Sequence, residues 1–194
     1  MVATPSTMLA LGTKAPNFIL SDTLTGKSFD FSKISNSKAH LICFICNHCP
    51  YVIHLLDHLS ERFNQWHDQG ISVLAISSND AVKYPADEPL KMKELAENRC
   101  FRFPYLYDED QSVAKNYRAA CTPDFYLFDK NKKLFYRGQY DGSRPGNSEE
   151  VNGEDLNQAM NLLLNNQKAP SKQIPSLGCN IKWKIDNEPD YFGI

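Results

Sequence analysis

Apolar residues along the chain fall into two alternating kinds of run. Ala39-His40-Leu41-Ile42-Cys43-Phe44-Ile45 is short, almost unbroken and rich in β-branched and aromatic side chains. That is the signature of a strand buried on both faces. After Pro50 the spacing changes. Val52, Leu55, Leu56, Leu59, Phe63 and Trp66 recur in steps of three and four, which predicts a helix over 51–69, and Gly70 supplies its C-terminal cap. Ile71 to Ser77 returns to the strand pattern. Strand, helix, strand is a crossover unit, so its two strands are expected to be parallel.

The flanking segments carry weaker versions of the same signals. Asn17 to Leu20 and Ser28 to Phe31 are short strand candidates around the turn residues 22–27, so a hairpin is expected ahead of the central strand. Leu90 to Asn98 reads as a helix behind a polar loop over 78–89 that is longer than a tight connection needs. Pro104 to Leu106 reads as a strand and 112–118 as a helix. Phe125–Phe128 and Lys133–Arg137 flank Asp129-Lys130-Asn131-Lys132, a hairpin signature. Glu154 to Asn166 is amphipathic, with acids in its first turn. Three segments result: a loose arm over 1–14, one α/β domain over 15–168, and a tail over 169–194. Pro170, Pro175 and Pro189 break any period in that tail, and Trp183 and Tyr191 are its anchors.

Composition narrows the class. The 194 residues, 42% of them hydrophobic, suffice for one full core. A net charge of −2 gives no basic excess, so nucleic acid and anionic membrane surfaces are not expected partners. No run approaches the roughly 18 apolar residues of a membrane span, and the first residues lack a basic, then apolar, leader pattern. The expectation is a soluble cytoplasmic protein, in whose reducing surroundings six cysteines read as reactive, metal-binding or buried thiols rather than as structural bridges.

Candidate chemistry concentrates where the central strand hands over to the helix: Cys46-Asn47-His48-Cys49-Pro50. A helix N-terminus presents unsatisfied N–H groups and a partial positive charge that favour a thiolate, and Pro50 suits its first turn. The pair is expected to form a dithiol/disulfide couple, with Cys46 as the exposed nucleophile and Cys49 as the resolving sulfur. An imidazole at His48 is expected to lower the Cys46 pKa and to make the disulfide more oxidising.

The order of elements resembles the thioredoxin fold in its redoxin form, the superfamily of thioredoxins and peroxiredoxins. Ala15-Pro16-Asn17-Phe18 with Gly26-Lys27, Phe44 to Pro50, Asp108 to Ala114 and Thr122-Pro123-Asp124-Phe125-Tyr126-Leu127-Phe128-Asp129 carry the likeness. Tyr136 to Asp141 and Gly178 to Lys184 look like a peroxiredoxin-like subgroup of thioredoxin-family proteins. The resemblance implies a central mixed sheet flanked by helices, an N-terminal hairpin and an extended tail. It also implies thiol–disulfide oxidoreductase activity on a protein or low-molecular-weight thiol partner, with no organic cofactor and no resident metal. By the same resemblance, Thr122-Pro123 is a cis-proline turn that faces the disulfide and presents backbone to an extended substrate. Cys121 and Cys179 are then additional redox thiols or packing residues, and Cys43 and Cys100 are packing residues.

The pattern also departs from its relatives. His40 stands where thioredoxins keep a buried carboxylate, and Ile45 replaces the tryptophan before the motif. Tyr51-Val52-Ile53 lacks the acid of some cytochrome-maturation thioredoxins. A thiol-dependent peroxidase is the nearest alternative, but aligning the peroxidatic cysteine with Cys49 leaves Cys46 at the required threonine and Ile42 at the required proline. A second alternative is a zinc or copper module on Cys46, His48, Cys49 and Cys121, or on His54 and His58 at helical i, i+4 spacing.

Overall fold

The computed structural model describes residues 3–193; Met1, Val2 and Ile194, assigned above to the arm and the tail, lie outside the described residues. Its elements are β1 (Ala3–Pro5), β2 (Ile19–Asp22), β3 (Ser28–Asp30), β4 (Ala39–Phe44), α1 (Pro50–Asp68), β5 (Ser72–Ser77) and α2 (Pro89–Asn98). These are followed by β6 (Tyr105–Tyr107), α3 (Ser112–Asn116), β7 (Cys121–Thr122), β8 (Asp124–Asp129), β9 (Leu134–Gly138), α4 (Glu154–Leu164) and β10 (Leu177–Asn180).

Seven strands form one mixed sheet in the order β3-β2-β6-β5-β4-β8-β9. β4 lies in its interior, parallel to β5 with Ile42 opposite Leu74, and antiparallel to β8 with Ile42 opposite Tyr126. Pleat alternation sorts β4 between two cores. Ala39, Leu41, Cys43 and Ile45 face α1, α2 and α4, where Leu59, Phe63, Met92 and Met160 are buried. Ile42 and Phe44 face the opposite layer of Phe31, Tyr117, Trp183 and Tyr191. The six apolar residues read from the α1 period are all buried, each worth about 1.5–3 kcal/mol relative to exposure. Gly70 follows α1 at φ +86°, the left-handed conformation that ends a helix most readily with glycine.

The arm and the tail are more ordered than their composition suggested. β1 pairs antiparallel with β10, and β10 with β7, so a second, three-stranded sheet joins both ends of the chain to the turn before β8. Trp183 and Tyr191 are buried as anchors, with Tyr191 Oη donating to the Ala114 and Ala119 carbonyls at 3.2 and 3.1 Å. These short strands escape a periodicity search because they are two to four residues long and are defined by pairing partners more than fifty residues away.

Gly178 shows how closely β10 is seated. A Cβ there would lie 2.0 Å from the Thr122 carbonyl oxygen and 3.1 Å from the Pro123 nitrogen, both backbone atoms that cannot swing aside. Gly178→Ala is therefore expected to lift β10 from β7. The measurement is the rate of thiol alkylation at Cys46 and Cys49, which should rise by at least about tenfold, or ~1.4 kcal/mol of lost docking. An unchanged rate would contradict this packing.

Candidate functional site

β4 ends at Phe44, and the chain turns through Cys46-Asn47-His48 into α1, whose N-cap is Cys49 and whose first residue is Pro50. The Thr122–Pro123 bond is cis, and the turn faces the two cysteines. The Cys49 thiol donates to the Thr122 carbonyl at 3.1 Å, and Cys46 Sγ lies 3.4 Å from Thr122 Oγ1. Thus β4, α1 and β7 bring Cys46, Cys49, Thr122 and Pro123 together.

Neither sulfur is exposed, contrary to the expectation for Cys46: it retains 1% of its surface and Cys49 none. The cover comes from parts of the chain whose position the sequence pattern does not reveal. β10 lies along β7 on one side, and the 78–89 loop brings Asp87 against the motif on the other.

That buried carboxylate is the residue missed in the sequence. Asp87 sits in a short helical turn at Pro85–Asp87, and its Oδ1 accepts from the Asn47 backbone N–H at 2.8 Å. Its Oδ2 lies 2.7 Å from His48 Nδ1 and accepts from Asn79 Nδ2 at 2.7 Å. Asn47 Nδ2 donates to the Ala86 carbonyl at 2.9 Å, and Tyr105 Oη donates to Asn47 Oδ1 at 3.1 Å. Tyr84 stacks on the His48 ring with centroids 5.5 Å apart. The only sequence signal was an acid held between Pro85 and Pro89 in an over-long loop.

These contacts redistribute charge from the expected pattern. The Asp87 carboxylate beside Nδ1 raises the His48 pKa, with partial burial opposing it. Cys46 is pushed well above an ordinary thiol by its hydrogen bond to Cys49, by burial and by the Asp87 charge. Cys49 is pulled down to about 5, first by the Cys46 hydrogen bond and then, against burial, by hydrogen bonds from Cys179 and Thr122. The two thiols titrate as a pair, with ionisation favoured at Cys49 over Cys46. The histidine expected to help Cys46 ionise spends its Nδ1 on a carboxylate that opposes that ionisation.

The other candidates separate cleanly. Cys179 is 2% exposed, sits opposite Thr122 in the β10–β7 register and hydrogen-bonds Cys49. Cys121 is fully buried, its thiol raised by that burial, with Sγ 3.6 Å from the Pro123 carbonyl. Cys43 is a packing residue whose thiol donates to the Leu74 carbonyl at 3.5 Å. His40 is buried against Phe31 at the far end of β4, about 20 Å of strand from the motif. Burial pulls its pKa down to about 4, so it is neutral and takes no proton at the site.

For a metal, Cys46, His48 and Asp87 have ligand atoms within 4.8 Å of one another, with Asp87 in place of the Cys49 and Cys121 suggested by the sequence. His54 and His58 each bond a partner outside α1 through one ring nitrogen. His54 Nε2 is 2.6 Å from Ser143 Oγ and His58 Nδ1 is 2.7 Å from Tyr140 Oη, so both tie α1 to the 138–153 loop.

A strand–Cys-x-x-Cys–helix junction that faces a cis-proline turn across a mixed sheet defines a thioredoxin-fold oxidoreductase, and more distant solved thioredoxin domains share this fold. The pattern of the AhpC/TSA family matches residues 11–137, and the chain belongs to that family. Thiol-disulfide oxidoreductase ResA of Geobacillus thermodenitrificans is 27% identical over 131 residues, 68% of this chain and 70% of that protein. Among solved structures, an uncharacterized conserved protein from Geobacillus kaustophilus is 48% identical at a TM-score of 0.92, covering 95% of this chain and 97% of that one. A hypothetical protein from Sinorhizobium meliloti is 41% identical at a TM-score of 0.90, covering 93% and 98%.

Proposed function

We propose that the chain carries out thiol–disulfide exchange through Cys46 and Cys49 on a protein or low-molecular-weight disulfide partner, in a reducing compartment such as the cytoplasm. The observation that carries this reading is the seating of both sulfurs on Thr122, at the positive end of a 19-residue helix.

The proton economy follows from the coupled titration. The reduced pair ionises to a Cys46 thiol hydrogen-bonded to a Cys49 thiolate, the Cys49 proton leaving from its bond to the Thr122 carbonyl. When the Cys46 proton passes to Cys49, the Cys46 sulfur attacks the partner disulfide R–S–S–R′, forming a Cys46–S–S–R bond and expelling R′–S⁻. The expelled sulfur takes the proton from Cys49. Cys49 then attacks Cys46 Sγ, closes the Cys46–Cys49 disulfide and releases R–S⁻. Because both sulfurs are covered, partner entry requires β10 or the 78–89 loop to move aside.

Stabilising a thiolate stabilises the reduced form, so the couple is expected to be more oxidising than thioredoxin, with a potential less negative than about −270 mV. Equilibration against glutathione measures it, and a more negative value contradicts the charge distribution described above. Asp87 sets that distribution. Asp87→Asn is expected to speed alkylation of Cys46 near neutral pH severalfold and to return the His48 titration downwards to its ordinary range. Alkylation kinetics and the His48 ring NMR shift read the two arms separately. If neither moves, Asp87 has no electrostatic role in the site.

A further inference from the structure

Three features place Cys179 inside the reaction centre rather than beside it. β10 pairs with β7 so that Cys179 lies opposite Thr122, the residue that also holds Cys49 and Cys46. The Cys179 thiol is within hydrogen-bonding reach of Cys49 Sγ. The close approach of the Gly178 backbone to Thr122 and Pro123 leaves little slack between them, and β1 holds the other side of β10 with Ala3 opposite Cys179.

The free edge of β7 is where an extended substrate segment would add a strand and bring its cysteine to the pair. In this chain the edge is already taken, and the residue that β10 brings to the pair is itself a cysteine. Cys121, next to Thr122, has no such approach: its sulfur turns to the Pro123 and Ser176 carbonyls.

We infer that β10 occupies the place of a substrate strand and that Cys179 exchanges with the Cys46–Cys49 disulfide as an intramolecular third thiol. This rests on the thiol–disulfide reading of Cys46 and Cys49 above and extends it. In the exchange the Cys179 sulfur attacks Cys49 Sγ, the Cys46–Cys49 bond breaks, a Cys49–Cys179 bond forms, and the Cys179 proton passes to Cys46. No electrons enter or leave, so no oxidant is needed beyond the partner disulfide that formed the first bond. The oxidised protein then keeps a Cys46 thiol available for a second attack, while the new bond pins β10 to the site.

The test is mass-spectrometric mapping of disulfides under non-reducing conditions, after the full-length protein is equilibrated with glutathione buffers and quenched with acid. In the wild type, Cys46–Cys49 and Cys49–Cys179 linkages are both expected. Cys46→Ser is expected to form Cys49–Cys179 in excess over glutathionylated Cys49 by on the order of tenfold, because the tail holds its thiol at high effective concentration. Cys179→Ser should leave the Cys46–Cys49 linkage alone, and Cys121→Ser should behave as the wild type. Glutathionylated Cys49 without Cys49–Cys179 in the Cys46→Ser protein would overturn the proposal while leaving the dithiol reading intact. A wild type that forms no Cys46–Cys49 linkage would instead sink the reading beneath it. Circular dichroism of each variant keeps a folding defect from being read as either result.

Discussion

Replacing Cys49 by serine is expected to leave a partner protein covalently attached to Cys46 and to lower steady-state disulfide reduction by at least a hundredfold, about 2.7 kcal/mol of transition-state stabilisation. Serine lacks the sulfur that closes the internal disulfide, so the Cys46–S–S–R species has no rapid internal exit through Cys49. It also removes the anion that takes the Cys46 proton, so attack itself should slow. The trapped fraction will therefore build up over minutes and faster at alkaline pH, where bulk base can replace Cys49. Cys46→Ser is expected to trap nothing through position 46, and Cys46→Ser combined with Cys179→Ser to lose turnover to a similar extent. Non-reducing electrophoresis with a disulfide-containing protein substrate, followed by identification of the attached residue, distinguishes the two. Substantial turnover by Cys46→Ser that persists when Cys179→Ser is added would reverse the assigned roles. The same proteins separate the peroxidase alternative, because rapid stoichiometric oxidation by hydrogen peroxide would favour it. The site gives that alternative little help, since Ile42 is buried inside β4 and Cys46 stands where the peroxide-positioning threonine is required.

What could be read from the sequence follows the range of the interactions involved. The β4–α1–β5 unit was legible because each element carries its own period, and the Cys46/Cys49 junction was legible because it falls where one period gives way to another. Thr122-Pro123 was legible only by resemblance, since nothing in the dipeptide itself specifies its isomer or its neighbours. Asp87 was not legible. Its role depends on folding back across the loop to the Asn47 N–H and the His48 ring, 40 and 39 positions earlier, and a single acid among 23 has no pattern. β1, β7 and β10 were missed for the same reason: each has only a few residues and is a strand by virtue of its partner. The burial of both sulfurs follows from these long-range pieces. An account built from local signals therefore placed the two cysteines at the strand–helix junction and left them open to solvent, where the structure closes them.

Asp124→Asn is expected to reshape the dependence of stability on pH. Asp124 follows the cis-proline turn, opposite Phe44 in the β4–β8 register, and its carboxyl is fully buried. Oδ2 accepts from Tyr126 Oη at 2.8 Å and from Ser6 Oγ at 3.2 Å, while Oδ1 is buried without a partner. Burial raises the pKa from 3.8 to about 7, and those hydrogen bonds only partly offset it. A carboxyl whose folded pKa lies above its unfolded value favours the fold fully below the unfolded pKa. That contribution is lost as pH rises from about 4 through about 7, with a ceiling of about 4 kcal/mol for a shift of roughly three units. Cys49 acts in the opposite sense, since its thiol is depressed and its contribution grows as pH rises from about 5 towards the ordinary thiol range. The wild-type curve mixes the two, so the informative quantity is the difference between variant and wild type. Asparagine keeps an acceptor for Tyr126 and Ser6 and cannot ionise. It also places an N–H₂ where Oδ1 had no partner, at a pH-independent cost of about 1–3 kcal/mol. Urea unfolding at a series of pH values should therefore show the variant less stable than wild type near pH 4 and gaining on it steadily up to about pH 7. A difference that stays constant across that range would mean that Asp124 does not titrate in the folded protein, and that the Ser6 contact holding the N-terminal arm is the same in acid as at neutral pH.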